Sequence, residues 1–293
     1  MCALEIQSLS IAVPAGCPNS CKYCVAHIHR GKYTNQIEGN IRFQDLYERD
    51  YKERLAFARD NGCNTLIFTG DGEPMMNQHF MQRVSIFNQM LSTPFRNIEL
   101  QTSGHFITDE TLRWLRNTIK VNTIALSISS FAPDVNAIYN GTSDKIKPVD
   151  IKAVCDEIKR YDFNLRLCLN MTEDFRPFYA PVALFNQCAT LGADQITFRV
   201  LYASGQGTTE DKWIEEHRAD DMYIDMIREY IIRNGNKLEV LPFGATRYAV
   251  KNMSVVLDDD CMNTQAKDSL KYLILRENCK LYTKWSDKGS LLF

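Results

Sequence analysis

Two kinds of hydrophobic pattern alternate along the first 235 residues. Short runs rich in β-branched and apolar residues predict strands, and longer runs with apolar residues every three or four positions predict helices. The strands are expected at residues 4–13, 64–69, 97–102, 122–129, 164–170 and 194–202. The helices are expected at residues 43–60, 78–91, 108–119, 148–161, 181–190 and 220–233. Six strand-then-helix units in succession predict a parallel sheet with helices outside it, because each parallel connection needs a crossover.

The rhythm changes after the last of these helices. Four short β-rich runs follow, at residues 237–243, 253–258, 270–275 and 280–284, and the polar segment Arg276–Cys279 is typical of a hairpin turn. The sequence therefore predicts a core domain at residues 1–235 and a small β-rich extension at residues 236–293, which covers the open mouth of the core.

The composition is that of an ordinary globular protein: 293 residues, 45% hydrophobic and 24% charged. A chain of this length buries a core large enough to fold without metal or disulfides. The net charge is −2 and no Lys/Arg cluster is present, so binding to nucleic acid is not indicated, nor is it excluded. No signal peptide or membrane span is recognisable, so we expect a cytoplasmic protein, with no membrane partner, whose ten cysteines are reduced thiols or metal ligands.

Three cysteines lie within eight residues directly after the first expected strand, at Cys17, Cys21 and Cys24. Loops at this place carry the active sites of α/β enzymes, and thiolates separated by two or three intervening residues can wrap an iron–sulfur cluster. Three protein ligands leave one iron of a [4Fe–4S] cubane open. The alternatives are a zinc knuckle completed by His27 or His29, and three buried thiols that bind no metal.

The C-x3-C-x2-C spacing, with the aromatic Tyr23 before the last cysteine, resembles the signature of the radical S-adenosylmethionine (SAM) superfamily. The resemblance covers about residues 5–202 and is nearest, in the order of its motifs, to the branch of the molybdenum-cofactor GTP cyclase. It implies a partial (β/α)6 TIM-like barrel and a [4Fe–4S] cluster whose open iron binds SAM. It also implies reductive cleavage of SAM to a 5′-deoxyadenosyl radical, which abstracts hydrogen from substrate. The second cysteine cluster and the arginine-bearing C-terminal finger of that cyclase are not recognisable here.

The resemblance extends to the end of the second strand. Thr69–Pro74 reads Thr-Gly-Asp-Gly-Glu-Pro and is similar to the G-G-E-P motif of the family, with Asp71 in place of a glycine. It implies that Gly72 and Glu73 hold the amino group of SAM, and that Tyr23 lies beside the cofactor. A bare turn is the alternative, since Gly-Asp-Gly also suits one.

Polar residues follow or interrupt the later strands. Thr102, Ser127 and Ser129 stand at strand ends, where small hydroxyls can hold ribose or carboxylate oxygens. Arg166 and Arg199 stand inside apolar strands and, in this family, would meet the cofactor carboxylate. The alternatives are helix caps for the hydroxyls and outward salt bridges for the arginines.

The family implies a small-molecule, nucleotide-like or peptide substrate and an electron donor such as flavodoxin or ferredoxin. An RNA-modifying radical SAM enzyme is an alternative, because the loop that begins at Thr69 also resembles that branch. A non-enzymatic zinc or Fe–S binding module is the third hypothesis. Cys261 and Cys279 flank the expected hairpin and are candidates for an auxiliary cluster. The remaining thiols are expected in the core, at Cys63, Cys155, Cys168 and Cys188.

Overall fold

An open, mostly parallel β-sheet of eleven strands forms the centre of the protein in the computed structural model. The structure describes residues 5–28, 48–176, 180–241, 244–258, 265–266, 269–285 and 291–292. The first turn of the helix expected from residue 43, the side chains of His27 and His29, and Cys261 lie outside the described residues.

The described strands, in chain order, are β1 (Glu5–Ile6), β2 (Leu9–Ala12), β3 (Thr65–Thr69), β4 (Asn97–Thr102), β5 (Thr123–Ile128), β6 (Asn164–Met171), β7 (Gln195–Val200), β8 (Asn236–Val240), β9 (Thr246–Val250), β10 (Met253–Asp258), β11 (Gln265–Ala266), β12 (Ser269–Leu270), β13 (Leu273–Leu275) and β14 (Leu281–Tyr282). The α-helices are α1 (Val25–Ile28), α2 (Glu48–Asp60), α3 (Gln78–Gln89), α4 (Asp109–Trp114), α5 (Pro133–Tyr139), α6 (Ile151–Arg160), α7 (Pro181–Thr190), α8 (Thr209–His217) and α9 (Asp221–Asn234). Short 3-10 turns lie at Pro74–Met76 and Glu173–Phe175, and a π-helical turn at Leu115–Ile119 continues α4.

The order of strands in the large sheet is β14-β13-β2-β3-β4-β5-β6-β7-β10-β9-β8. Every pairing from β13 through β2 to β7 and on to β10 is parallel, and the pairings beyond them are antiparallel. The sheet does not close on itself. The prediction of an α/β fold with a partial barrel is therefore confirmed. Strands β1, β12 and β11 form a separate small sheet.

The two faces of the large sheet differ in polarity, as β3 illustrates. Its Leu66 and Phe68 are buried in the hydrophobic core, and the alternate residues Thr65, Ile67 and Thr69 are partly exposed. Successive side chains of a strand point to opposite faces, so one face packs into the core and the other remains free. The free face carries the polar residues from which a site can be built.

Helix α6 shows how the sequence pattern determines the outer layer. Ile151, Cys155 and Ile158 recur at helical spacing and are buried. The Asp150 carboxylate accepts a hydrogen bond from the Ala153 amide at 3.0 Å and caps the first turn. The helix therefore begins and ends close to its predicted bounds. No described helix is both long enough and apolar enough to span a bilayer.

Besides the one-turn α1, the hydrophobic periodicity of the sequence does not predict two helices, α5 and α8. In α5 the only fully buried side chain is Asn136, and Ile138 is exposed, so no apolar stripe is present. In α8 the buried positions are Asp211 and Ile214, and its start is fixed by a capping box between Thr208 and Asp211. Polar contacts rather than hydrophobic repeats determine both helices.

Strands from the tail extend the large sheet at both of its edges, β10, β9 and β8 at one and β13 and β14 at the other. β10 pairs in parallel with β7, and β13 pairs in parallel with β2. The division of the chain at residues 235 and 236, with the second part covering the mouth, stays a prediction. The pairing of β13 with β2 places the residues after β13 beside the loop that carries the three cysteines.

Candidate active site at the cysteine loop

A cavity of about 870 Å³ opens on the free face of the sheet, at the carboxyl ends of the parallel strands. Active sites of parallel α/β folds lie at this edge. Of the eleven residues predicted to bind the [4Fe–4S] cluster or SAM, ten line it: Cys17, Cys21, Tyr23, Cys24, Gly72, Glu73, Thr102, Ser127, Arg166 and Arg199. Ser129 is the exception, and it lies fully buried behind the cavity wall.

The three cysteines stand on the loop of residues 13–24, here called the cysteine loop. Cys17 is exposed, Cys21 and Cys24 are half-buried, and none of the three forms a disulfide. Burial and the neighbouring Cys24 together raise the pKa of the Cys21 thiol to about 12. Thiols of this kind ionise when they bind a cation such as iron, which compensates their charge.

The cysteine loop rests directly on the backbone of residues 70–73, here called the glycine loop. The Glu73 amide donates to the Gly16 carbonyl at 2.8 Å, and the Val13 amide donates to the Thr69 carbonyl at 2.8 Å. A Cβ atom at Gly72 would lie 2.1 Å from the Ala15 carbonyl oxygen. The close approach of the two backbones therefore requires a glycine at position 72. This contact determines how far the cysteine loop lies from the glycine loop.

The far side of the cysteine loop is held by the segment that follows α5. The Ser20 amide donates to the Asn140 carbonyl at 3.0 Å. The Asn19 amide oxygen accepts a hydrogen bond from the Thr142 hydroxyl at 2.8 Å and lies 3.1 Å from His105 Nε2. The loop is thus supported on both sides before any metal binds.

Tyr23 anchors the loop through a buried polar network. Its hydroxyl lies 2.5 Å from both Ser129 Oγ and Asn140 Oδ1, and Asn170 Nδ2 lies 3.4 Å away. Burial raises the pKa of Tyr23 well above its ordinary value, and Cys21 adds to this effect. Ser129 therefore contacts Tyr23 in this structure, in a place where the sequence suggested a cofactor oxygen. Asn140, which was not among the predicted site residues, completes the network.

Glu73 ties the glycine loop to the end of β4. Its carboxylate accepts hydrogen bonds from Thr102 Oγ1 at 2.8 Å, from the Ser103 amide at 2.8 Å and from Ser103 Oγ at 2.6 Å. Burial raises the pKa of the Glu73 carboxyl, and the hydrogen bonds from Ser103 and Thr102 oppose that rise. The side chains of Glu73 and Thr102 hold each other, so the glycine loop presents mainly its backbone to the cavity.

The two arginines occupy different depths of the cavity. Arg166 lies on the floor, where it reaches across Ala125 of β5 to Glu99 at 2.5 Å and binds Gln195 at 2.6 Å. Arg199 lies nearer the carboxyl end of the sheet, in register with Asn170. Arg166 is thus already paired with an acid, whereas its assignment to a cofactor carboxylate stays a prediction. Ser127 lies on the wall between these depths.

An ion pair that the sequence did not reveal joins the tail to the glycine loop. Arg276 follows β13, is almost completely buried, and its Nη1 lies 2.7 Å from Asp71 Oδ2. Its guanidinium also lies 5.6 Å from the Tyr282 ring centroid and 5.2 Å from that of Trp285. Since β13, β2 and β3 are neighbours, the pair spans the strand that leads into the cysteine loop. Asp71, which departs from the glycine of the family motif, has a structural partner.

Asp71→Asn is expected to lower the free energy of unfolding by about 2 kcal/mol, because it leaves the buried Arg276 charge without its carboxylate. The cost is below the roughly 3–5 kcal/mol of a fully buried pair, since the Asp71 side chain is 40% exposed. Urea denaturation measures it. Glu239→Gln, which breaks an exposed pair with Arg247, is the control and should cost less than about 0.5 kcal/mol. If both variants lost the same free energy of unfolding, the buried Arg276–Asp71 pair would stabilise the protein no more than an exposed ion pair does.

The residues around the cavity fit a [4Fe–4S] cluster and SAM. Three thiols that form no disulfide stand on one supported loop and line the cavity. Burial raises the pKa of the Cys17 and Cys21 thiols, so their thiolate forms need a cationic partner. In the described residues no three His, Cys, Asp or Glu side chains converge on a single metal ion. In a cubane, by contrast, each thiolate binds a different iron. Cys279 is buried and its pKa is raised to about 11 by burial, and with Cys261 undescribed an auxiliary cluster stays a prediction.

The sequence profile of the Radical SAM superfamily matches residues 11–172, which is more than half of the chain. The matched segment begins in β2 and ends just after β6, so it contains the cysteine loop, the glycine loop and the network around Tyr23. A comparison with curated protein sequences gives no significant match.

Several solved structures share the fold. SuiB from Streptococcus suis bound to S-adenosylmethionine superposes with a TM-score of 0.54 at 13% identity, over 94% of this chain and 58% of SuiB. The enzyme anSMEcpe with bound AdoMet gives a TM-score of 0.62 at 12% identity, over 98% of this chain and 77% of that one. Coproporphyrinogen III oxidase (HemN) from Escherichia coli gives 0.54 at 14% identity, over 94% of this chain and 64% of HemN. This chain thus spans little more than half the length of SuiB.

Proposed function

The chain belongs to the radical SAM superfamily, whose members are enzymes that use a [4Fe–4S] cluster and SAM, and on that premise we propose a reaction for its cavity. A bound cluster would supply the electron that cleaves SAM to methionine and a 5′-deoxyadenosyl radical, and the radical would take a hydrogen atom from the substrate and leave as 5′-deoxyadenosine. Cys17, Cys21 and Cys24 are the cluster ligands in this proposal. It is supported above all by the three thiols meeting the glycine loop at the edge of one cavity.

The chain's own residues position and enclose the reactants. The backbone contact between Gly72 and the cysteine loop sets the distance between a cluster and a cofactor held by the glycine loop. Glu73 prevents that loop from moving, because three donors at the end of β4 hold its carboxylate. Small reactants that are held in a fixed geometry react faster than free ones, since their translational entropy is lost on binding rather than in the transition state.

The part of the cavity wall outside the cysteine loop and the glycine loop is available to a substrate. It carries the cationic residues Arg247 and Lys271 and the aromatic residues Tyr202, Tyr272 and Trp285. We infer a substrate no larger than a nucleotide or a short peptide. The peptide class has a precedent in the fold, because anSMEcpe has been crystallised with AdoMet and the Cp18Cys peptide, with a TM-score of 0.60 to this chain. The proposal includes a cytoplasmic location and an external electron donor such as flavodoxin or ferredoxin.

Reductive cleavage of SAM is the measurement that tests this function. Protein reconstituted with iron and sulfide under anaerobic conditions and reduced with dithionite is expected to release 5′-deoxyadenosine and methionine in equal amounts, slowly without substrate. The same protein without reductant is the control and should release neither. A fully loaded, reduced protein that forms no 5′-deoxyadenosine, with or without cell extract, would overturn the proposal and favour a binding module.

A further inference from the structure

Glu277 places a buried carboxyl group in the wall of the cavity. It follows Arg276 at the end of β13, is only 3% exposed, and lines the cavity on the side of the glycine loop. No motif of the sequence includes it. β13 pairs in parallel with β2, the strand that leads into the cysteine loop. This pairing brings Glu277, at the end of β13, to the cavity.

The charges around Glu277 leave it without a full counter-ion. Within the described ranges its carboxyl forms no salt bridge, because the Arg276 guanidinium on its own turn is paired with Asp71 of the glycine loop. On the side away from the cavity the Tyr51 hydroxyl of α2 and the Cys279 thiol interact with it. Burial and Asp71 raise the pKa of Glu277 to about 7, and Arg276 opposes the rise. An ionised carboxyl buried in this way is costly unless a cation meets it.

We propose that Glu277 binds a cationic amino group of a molecule that occupies the cavity. A ligand can reach the carboxyl from the cavity, because Glu277 lines it beside Asp71 and Arg276, which are paired with each other. The buried Tyr51 and Cys279, which do not line the cavity, lie near the carboxyl on its other side. The amino group belongs either to SAM or to the substrate. The possibility that SAM supplies the amino group rests on the proposed function. The proposal that Glu277 binds an amino group does not rest on it, because such binding requires no radical chemistry.

The first arm of the test measures SAM binding to cluster-loaded, unreduced protein by equilibrium dialysis. If SAM supplies the amino group, Glu277→Gln raises the Kd for SAM about tenfold, the usual effect of removing one charge-assisted contact. Glu277→Asp keeps the charge and should recover part of the affinity. Glu215→Gln, on the exposed face of α8, is the matched control and should leave the Kd unchanged.

The second arm measures binding of n-butylammonium in the presence of saturating SAM, by ligand-observed NMR, with n-butanol as the neutral probe. If the substrate supplies the amino group, Glu277→Gln leaves the SAM affinity within about twofold and weakens n-butylammonium about tenfold, without affecting n-butanol. If Glu277→Gln changes neither the SAM affinity nor the n-butylammonium affinity, the inference is overturned. Circular dichroism of each variant shows that it is folded.

The dependence on pH separates charge recognition from a merely structural effect. Because Glu277 binds a cation only when ionised, affinity for the amino ligand should fall as pH falls through about 7. Between about pH 7.5 and about pH 6 the ionised fraction of such a group decreases roughly eightfold, and the affinity should decrease with it. Glu277→Gln should abolish this dependence. The Tyr51 and Cys279 groups behind Glu277 have raised pKa values and stay neutral over this range.

Discussion

Replacing Cys17, Cys21 or Cys24 with alanine is expected to reduce bound iron to less than about a tenth of the wild-type content and to abolish SAM cleavage. Each thiolate is one of only three protein ligands in the proposed site, so its loss opens a second iron to solvent. The fold should survive, because the hydrophobic core extends from β2 to the tail without any of the three thiols. Iron and acid-labile sulfide analysis, with 5′-deoxyadenosine formation, measures the result.

Cys188→Ala is the matched control for this series. Cys188 is buried on α7 in the hydrophobic core, where it packs as a small apolar residue. Its replacement should cost some stability and leave the iron content unchanged. If any of the three loop variants kept full iron and full SAM cleavage, that cysteine would not be a ligand. If the Cys188 variant lost iron as well, the loss would report instability of the protein rather than the removal of a ligand.

The parallel sheet could be predicted because its strands carry a strong local signal. β3 to β7 are continuous runs whose apolar residues face a buried layer, and their helices repeat apolar residues at helical spacing, as in α6. The expected first strand is divided in the structure into β1 and β2, which belong to different sheets. Propensity does not reveal such a division, because sheet membership depends on the partner strand and not on the run itself.

The placement of the tail could not be predicted for a related reason. β13 and β14 lie within the runs predicted at residues 270–275 and 280–284, but nothing in these short runs specifies a partner strand. β13 finds its partner more than 260 residues earlier, in β2. The contacts that depend on this pairing could therefore not be predicted from the sequence. They include the Arg276–Asp71 ion pair and the entry of Glu277 into the cavity wall.

In the candidate site, too, the features set by local sequence could be predicted, and those set by long-range contacts could not. The cysteine spacing and the Gly72–Glu73 pair are local, and the structure brings both to one cavity. The contacts of Ser129 and Arg166 depend on residues far away in the chain, Tyr23 and Glu99 respectively. A hydroxyl or guanidinium in a strand shows that a partner is needed, and only the fold shows which partner it finds.

Gly72→Ala is expected to abolish cluster assembly and SAM binding together, although the substitution adds a single methyl group. The new Cβ would lie 2.1 Å from the Ala15 carbonyl oxygen and 2.4 Å from that of Gly16. Real Cβ atoms do not approach backbone atoms so closely, so the glycine loop and the cysteine loop must move apart. We expect a loss of stability of about 3 kcal/mol or more from such overpacking against backbone.

Gly16→Ala provides the matched control, since Gly16 faces Gly72 across the same contact. A Cβ there would meet only the flexible Met76 side chain, at 3.5 Å from Cε and 3.9 Å from Sδ, which is ordinary van der Waals contact. Gly16→Ala should therefore keep its iron and its affinity for SAM within about twofold. Iron content after reconstitution, equilibrium dialysis with SAM and urea denaturation separate the two variants. If Gly72→Ala retained full iron and SAM affinity, the contact between the two loops would not determine the geometry of the site, and the position of the cofactor would have to be set by the side chains along the cavity wall.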